Sequence, residues 1–385
     1  MISIEVKKEA IVPALSMVQS IVDKKTIMNI INNVLIYTED NRLFLEATDL
    51  EISYKTSVEA NVKEQGSLTV NARKLYEIIK EIQSDQINID ETENNWIKII
   101  VEDKAEYMIA GMPSDDFPRF REYSKTDFFN IKSEILSDLI TKTIYSVSYD
   151  DKRYALSGIL TEFKKKMRGD GELQGYEISM VSSDGHRLSL AKRDLDPENI
   201  QGDFIESSII IPRKGANEIK KFCDISEDIS FMVEDDFLYC LSGDNQLIIR
   251  LIDGTFPDYQ AIIPQESTRI ISFDRNDMLG ALRRISILSS DLAFRGVKIM
   301  IEGKRMHLES IDRKVGQASE NIDIAYEGEP MKVAFNAKYI EDTLKIMRSP
   351  TVQFIINDED SPCVIKGNDD TGFLSLIMPM SIEEE

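Results

Sequence analysis

Apolar residues at Ile11, Leu15, Val18 and Val22 recur at i, i+4, i+7 and i+11, which gathers them into one stripe of a helix with a polar back. Ile340, Leu344 and Met347 draw the same stripe near the other end of the chain. Between such segments the period shortens. Arg42-Leu43-Phe44-Leu45-Glu46-Ala47 alternates as a strand does, and Asp40-Asn41, Asp244-Asn245 and Gly303 stand where hairpins would turn. The pattern predicts six helices, over residues 7–20, 71–83, 132–146, 212–223, 274–288 and 336–348, set among antiparallel strands.

The same order of segments occurs three times, at intervals of about 125 to 145 residues. The copies open at Val6-Lys7-Lys8-Glu9-Ala10-Ile11, Ile131-Lys132-Ser133-Glu134-Ile135-Leu136 and Phe273-Asp274-Arg275-Asn276-Asp277-Met278. Each first helix is followed by a short strand: Asn33-Val34-Leu35-Ile36, Gly158-Ile159-Leu160-Thr161 and Gly296-Val297-Lys298-Ile299. An acidic turn comes next, at Ala47-Thr48-Asp49-Leu50, Ser182-Ser183-Asp184-Gly185 and Ser310-Ile311-Asp312-Arg313. A second helix then begins at Val70-Asn71-Ala72-Arg73-Lys74, Ile211-Pro212-Arg213-Lys214 and Phe335-Asn336-Ala337-Lys338. Each unit reads as helix, strands, helix, strands, with its two helices side by side on one sheet face, so the fold class is α+β with three tandem similar domains. Asp116-Phe117-Pro118 and Thr255-Phe256-Pro257 make corners where proline stops strand pairing. They place the domains at 1–125, 126–265 and 266–385.

A chain of 385 residues with 42% hydrophobic content can bury a core in each unit. The net charge of −22 argues at first against a nucleic-acid partner. Its distribution reverses that inference: the six predicted helices hold 17 Lys and Arg against 10 Asp and Glu, whereas the remainder holds 29 against 58. Basic helices and acidic strands and loops would give the assembly one positive face and one negative face. Lys164-Lys165-Lys166-Met167-Arg168-Gly169-Asp170-Gly171 reads as a solvated hairpin tip. Cys223, Cys240 and Cys363 are too few and too scattered for a disulfide framework and read as reduced thiols. No targeting pattern or long apolar run occurs, which leads us to expect a soluble, cytoplasmic protein with no membrane partner.

Catalytic chemistry finds little support. His186 and His307 are the only histidines, and Asp184-Gly185-His186-Arg187 reads as a tight turn rather than an acid–base pair. Phosphate-cradling glycine loops and zinc motifs are absent, so no cofactor or metal is expected. A hydrolase using Asp49 or Asp184 with Mg²⁺ is opposed by the recurrence of the acidic turn in all three units. An interaction scaffold that never meets DNA is the third reading, from a different class.

Taken together, Thr48-Asp49-Leu50-Glu51, Arg153-Tyr154-Ala155-Leu156-Ser157-Gly158, Ser183-Asp184-Gly185-His186-Arg187-Leu188, Phe256-Pro257-Asp258-Tyr259 and Met378-Pro379-Met380, in this order on a threefold repeat, closely resemble the bacterial DNA sliding clamps, the β subunits of DNA polymerase III. The resemblance runs from residue 1 to about 382. It implies a DNA clamp fold in which two chains join head to tail into a closed ring around duplex DNA, with helices lining the hole and antiparallel sheets outside. It also implies a non-catalytic processivity subunit whose contacts with DNA are topological and independent of sequence. Residues implied to face DNA are Lys24, Arg73, Lys74, Tyr154, Arg213 and Lys214.

A second implied site is a cleft between the second and third units that takes short linear motifs of the polymerase III catalytic subunit, the clamp loader, other polymerases and repair proteins. Its residues here would be Arg153, Leu156, Ser183, Gly185, His186, Arg187, Leu188, Pro257, Ile262, Pro362, Leu376, Met378, Pro379 and Met380. Methionine suits a surface that must accept several partners, and Gly185 would let a backbone approach closely. Three positions depart from the family pattern. Lys24 stands where an arginine is expected, Ala155 replaces an aromatic, and Ser381-Ile382-Glu383-Glu384-Glu385 puts acid where a basic residue is common. Asp150 adds a further negative charge near a DNA-facing loop.

Overall fold

The computed structural model describes residues 1–22, 28–101, 105–124, 128–149, 154–169, 171–201, 206–264, 269–288, 296–310 and 316–381. Lys24, Asp150, Arg153 and the acidic end 382–385 lie outside the described residues, as do positions 125 and 265 and most of the third acidic turn.

The six helices form where the apolar stripes place them: α1 Lys8–Ile21, α2 Ala72–Glu81, α3 Ser133–Thr143, α4 Arg213–Cys223, α5 Arg275–Ile285 and α6 Ala337–Ile346. In α1 the stripe consists of Ile11, Ala14, Leu15, Met17, Val18 and Ile21. Val22, expected to complete the stripe, is instead the extended C-cap that ends the helix. Several predicted ends are too long because the last turn tightens: α3 and α5 pass into 3-10 turns at Ile144–Ser146 and Ser286–Leu288. Asp274 stands just outside α5, where its carboxylate accepts the Asn276 and Asp277 amides at 2.8 and 3.0 Å.

The chain groups into two compact units. One comprises Met1–Ser137, Glu198–Phe204 and Lys214–Leu251, and the other comprises Asp138–Pro197, Ile205–Arg213 and Ile252–Glu385. The second repeat is divided between them because each of its half-sheets continues into the sheet of a neighbouring repeat. In the first unit, Ile52–Lys55 of the strand Ile52–Glu64 pair with residues of the strand Asn245–Arg250. In the second, Arg187–Ala191 of the strand Arg187–Leu195 pair with Phe373–Ile377.

In the first unit the strands of the first repeat close on themselves. Ser3–Lys7 pairs with Gln86–Thr92 on one side and with Ile52–Glu64 on the other, and α1 packs against α2 over that sheet. The second unit holds a 12-stranded antiparallel sheet against which α5 and α6 pack side by side. The lysines of the charged run are not at the hairpin tip: Lys164–Lys166 belong to the strand Gly158–Met167 and pair across to Leu173–Ser183, with Lys164 on Glu162 at 2.8 Å and Lys166 on Asp194 at 2.7 Å, and the turn follows from Arg168. One hairpin turns a residue earlier than expected. Gly243, at φ +55°, and Asp244 make the turn, and Asn245 already belongs to the strand, where its Oδ1 accepts the Tyr54 and Thr56 hydroxyls. The three cysteines are buried and unpaired, and burial pushes the Cys223 thiol up to about 12.

Candidate functional site

The acidic turn is built from one local device, used twice. In the first repeat the Thr48 hydroxyl accepts the Leu50 amide at 3.0 Å, and Asp49 Oδ1 accepts the Glu51 and Ile52 amides at 2.9 and 2.6 Å. In the second, the Ser183 hydroxyl accepts the Gly185 amide at 3.1 Å, and Asp184 Oδ1 accepts the His186 and Arg187 amides at 3.0 and 3.1 Å. The central residue is left-handed in both, at φ +77° for Leu50 and +88° for Gly185. Gly185 supplies the left-handed conformation that the turn's own backbone requires. Leu50 adopts the same conformation with a side chain 52% exposed. Leu50→Gly is expected to change stability by less than about 1 kcal/mol, read as a nearly unmoved urea midpoint, because relief of the left-handed strain is offset by the freer unfolded state of glycine and the loss of the leucine side chain.

The second-repeat turn carries Ser183, Gly185, His186 and Arg187 of the expected cleft. Its neighbour is the end of the chain: the Met378 amide donates to the His186 carbonyl at 2.9 Å, and the Met380 amide to the Ala334 carbonyl at 2.8 Å. Under these two segments lies a cluster of Leu160, Val181, Leu188, Leu190, Ile210, Ile252, Tyr259, Val364 and Leu376, with Ala155, Phe256 and Ile263 packed against it. The expected cleft residues thus divide. Leu156, Leu188 and Leu376 are buried, the last two within that cluster, and Ser183 is buried with its hydroxyl donated to the Arg187 carbonyl at 2.7 Å. Gly185, His186 and Pro257 are exposed, Pro362, Pro379 and Met380 are half-buried, and Ile262 and Met378 present apolar surface at 46% and 39% exposure.

Arg187 behaves unlike its neighbours. It is 8% exposed, and its guanidinium donates from Nε to Asp184 at 3.0 Å, from Nη1 to Asp342 at 2.9 Å and from Nη2 to the Tyr145 carbonyl at 2.7 Å. The Tyr339 ring lies 4.4 Å from its centre. Burial opposes its charge, but the Asp342 hydrogen bond and the two carboxylates outweigh it and raise its pKa. Tyr145, Tyr339 and Asp342 were not anticipated. Asp342 lies 155 positions from Arg187, and no local spacing connects the two.

The residues expected to face DNA also differ among themselves. Lys74 is exposed, 3.7 Å from Glu77, and Arg73 is half-buried. Tyr154 is 61% exposed, and the Arg213 guanidinium lies 3.6 Å from the centre of the exposed Tyr149 ring. Lys214 is half-buried. Its ammonium is ion-paired with the buried Asp49 carboxylate and reaches the Ile21 carbonyl at the end of α1 at 3.3 Å. Among the described residues no cluster of His, Cys, Asp and Glu could hold a metal ion, and no helix is long and apolar enough to cross a membrane.

Models of the DNA polymerase III beta subunit match the chain in three consecutive pieces: the N-terminal domain over residues 2–121, the central domain over 130–258 and the C-terminal domain over 260–381. The beta sliding clamp of Pseudomonas putida is 28% identical over 385 residues, covering 98% of this chain and 99% of its own. That of Vibrio cholerae is 27% identical over 379 residues, again covering 98% and 99%. Crystal structures of the Caulobacter crescentus and Pseudomonas aeruginosa sliding clamps, each 26% identical, superpose with TM-scores of 0.90 and 0.88 over 99% of this chain and all of theirs. Three matched domains in the family's order, on a fold shared from end to end, show that the chain belongs to the DNA polymerase III beta subunit family, the sliding clamps, which are non-catalytic processivity factors of DNA replication.

Proposed function

We propose that two copies of this chain close head to tail into a ring around duplex DNA, each chain contributing three domains divided near residues 125 and 265. The ring would tether the replicative polymerase, while the cleft beneath Met378 and His186 takes short linear motifs of polymerases, the clamp loader and repair proteins. It would work in the cytoplasm. The observation that carries the reading is the threefold repeat with basic helices and acidic remainder, now attached to a family of clamps.

Two free strand edges support self-association. In the first repeat, Ala105–Met112 pairs with Trp96–Val101, and on its other side only Gly111 and Met112 pair among the described residues. Ala105–Ala110 thus present an open edge on which Tyr107 is exposed. In the third repeat, Ser319–Asp323 pair with Arg305–Glu309 and have no described partner on their other side. Unpaired edges are templates for a second chain, and one edge in the first repeat with another in the third is what a closing heterologous interface requires.

Inside the ring, Lys24, Arg73, Lys74, Tyr154 and Arg213 would face phosphate, with attachment secured by topology rather than affinity. Lys214 contributes less, because Asp49 already neutralises it. The test is retention after loading by a cognate loader at moderate salt. Circular DNA should hold the protein, whereas linear DNA of the same sequence should lose it from the ends. Equal retention on both would mean direct binding and end the ring reading.

A further inference from the structure

The joint between the first and second repeats is a built-in control for the joint that forms the cleft. Both use the same backbone: the Arg250 amide donates to the Glu51 carbonyl at 2.8 Å, as the Met378 amide does to His186 at 2.9 Å. Both use the same hydroxyl-and-aspartate turn. At the residue corresponding to Arg187, however, the first joint has Ile52, and its turn makes the same amide hydrogen bonds without a guanidinium. Holding the turn together is therefore not what requires Arg187.

What differs is the link from the turn to the second helix of the next repeat. In the first joint Lys214, on α4, reaches Asp49 of the turn directly. In the second joint the lysine at the matching helix position, Lys338 on α6, is paired with Asp342 of its own helix. Turn and helix then each present a carboxylate, Asp184 and Asp342, and Arg187 lies between them. Its third donor fixes the Tyr145 carbonyl after α3, and its face rests on Tyr339 of α6. Two cations and two carboxylates balance, so the guanidinium offers little charge to a ligand, and its side chain is nearly closed to solvent.

We infer that Arg187 is a positioning residue of the cleft rather than a contact for the partner peptide. It ties the turn that carries His186 to α6 and to the end of α3, and through the His186 carbonyl it sets where Met378 stands. A fork with donors on two edges can bridge two carboxylates and a carbonyl at fixed angles, which a lysine cannot do. The inference rests on the cleft assigned above.

The test uses full-length protein and a fluorescently labelled peptide carrying the clamp-binding motif of a cognate polymerase, titrated by anisotropy. Arg187→Lys and Asp342→Asn should each weaken binding by about tenfold, and the double variant should be no weaker than the worse single one, because either change breaks the same bridge. Asp342→Glu, which keeps the carboxylate, should recover most of the affinity. The sedimentation of the dimer and the near-ultraviolet circular dichroism should stay as in the wild type. If Asp342→Asn leaves the affinity unchanged while Arg187→Lys lowers it, Arg187 contacts the peptide and the inference is wrong. It is equally wrong if the dimer or the dichroism is lost in step with the affinity, since the bridge would then hold the fold in general. Met378→Glu separates the underlying assignment: unchanged peptide affinity in that variant removes the cleft itself, whatever Arg187 does.

Discussion

Lys142→Met is expected to lower the stability of the protein by about 3–5 kcal/mol at neutral pH, the usual cost of removing one partner from a buried ion pair. Lys142 belongs to α3 and is buried, with its ammonium 3.4 Å from both Asp138 and Asp370 and 5.5 Å from the centre of the Phe373 ring. Asp138 keeps other cations in the variant, since Arg193 pairs with it and Arg348 lies at 3.2 Å. Asp370 does not. It would remain a buried carboxylate held by neutral donors, the Arg348 and Ser349 amides at 3.0 Å each from Oδ2 and the Ser349 side chain.

The effect should depend on pH in a defined direction. Burial works against ionisation of Asp370, but hydrogen bonds from Ser349 and Arg348 and the charge of Lys142 outweigh it, so its folded pKa lies below the ordinary 3.8. Its contribution is thus complete above the unfolded value and is lost as pH falls through the depressed folded one. Without Lys142 burial raises the folded pKa of Asp370, so protonation in acid relieves the variant while the wild type loses the contribution of its ion pair. Urea midpoints of the two proteins should lie far apart at pH 7 and converge near pH 3. A constant gap across that range would mean that the lysine matters for its packing and not its charge.

Deleting residues 378–385 should abolish binding of the polymerase peptide, from roughly micromolar to weaker by at least about a hundredfold, with the dimer intact. The deletion removes the exposed thioether of Met378, the half-buried Pro379 and Met380, and the amides that close on His186 and Ala334. The cut must come after Ile377, not after Leu376. Ile377 is buried and pairs with both Arg187 and Cys363, so its loss would itself cost about 2–5 kcal/mol and obscure the result. Anisotropy gives the affinity and sedimentation gives the dimer. Undiminished peptide binding in the shortened protein would place the partner site elsewhere.

Local pattern made much of the architecture legible in advance. Helical periodicity marked six helices to within a few residues, because burying one stripe is a local demand on spacing. Errors came at their ends, where α1 stops at Ile21 and α3 and α5 tighten into 3-10 turns. The repeat of Thr48-Asp49-Leu50 as Ser183-Asp184-Gly185 was visible as a recurring turn, and hydrogen bonds within four residues of one another enforce it.

The candidate site was legible as a set of residues and not as a division of labour. Leu188 and Met378 read alike as apolar positions of a motif, yet the first is buried in a strand paired with Leu376 and the second is exposed. Lys214 was expected to face DNA and Arg187 to line the cleft. Each also pairs with a carboxylate, 165 and 155 positions away, that no local spacing points to. The three repeats, the class of each element, the recurring acidic turn and the uneven allotment of charge were readable from the residues, because patterns among near neighbours in the chain carry them. Which charges remain free is settled by long-range contacts, because neutralising a cation depends on which carboxylate folding brings within about 4 Å, and sequence distance carries no information about that.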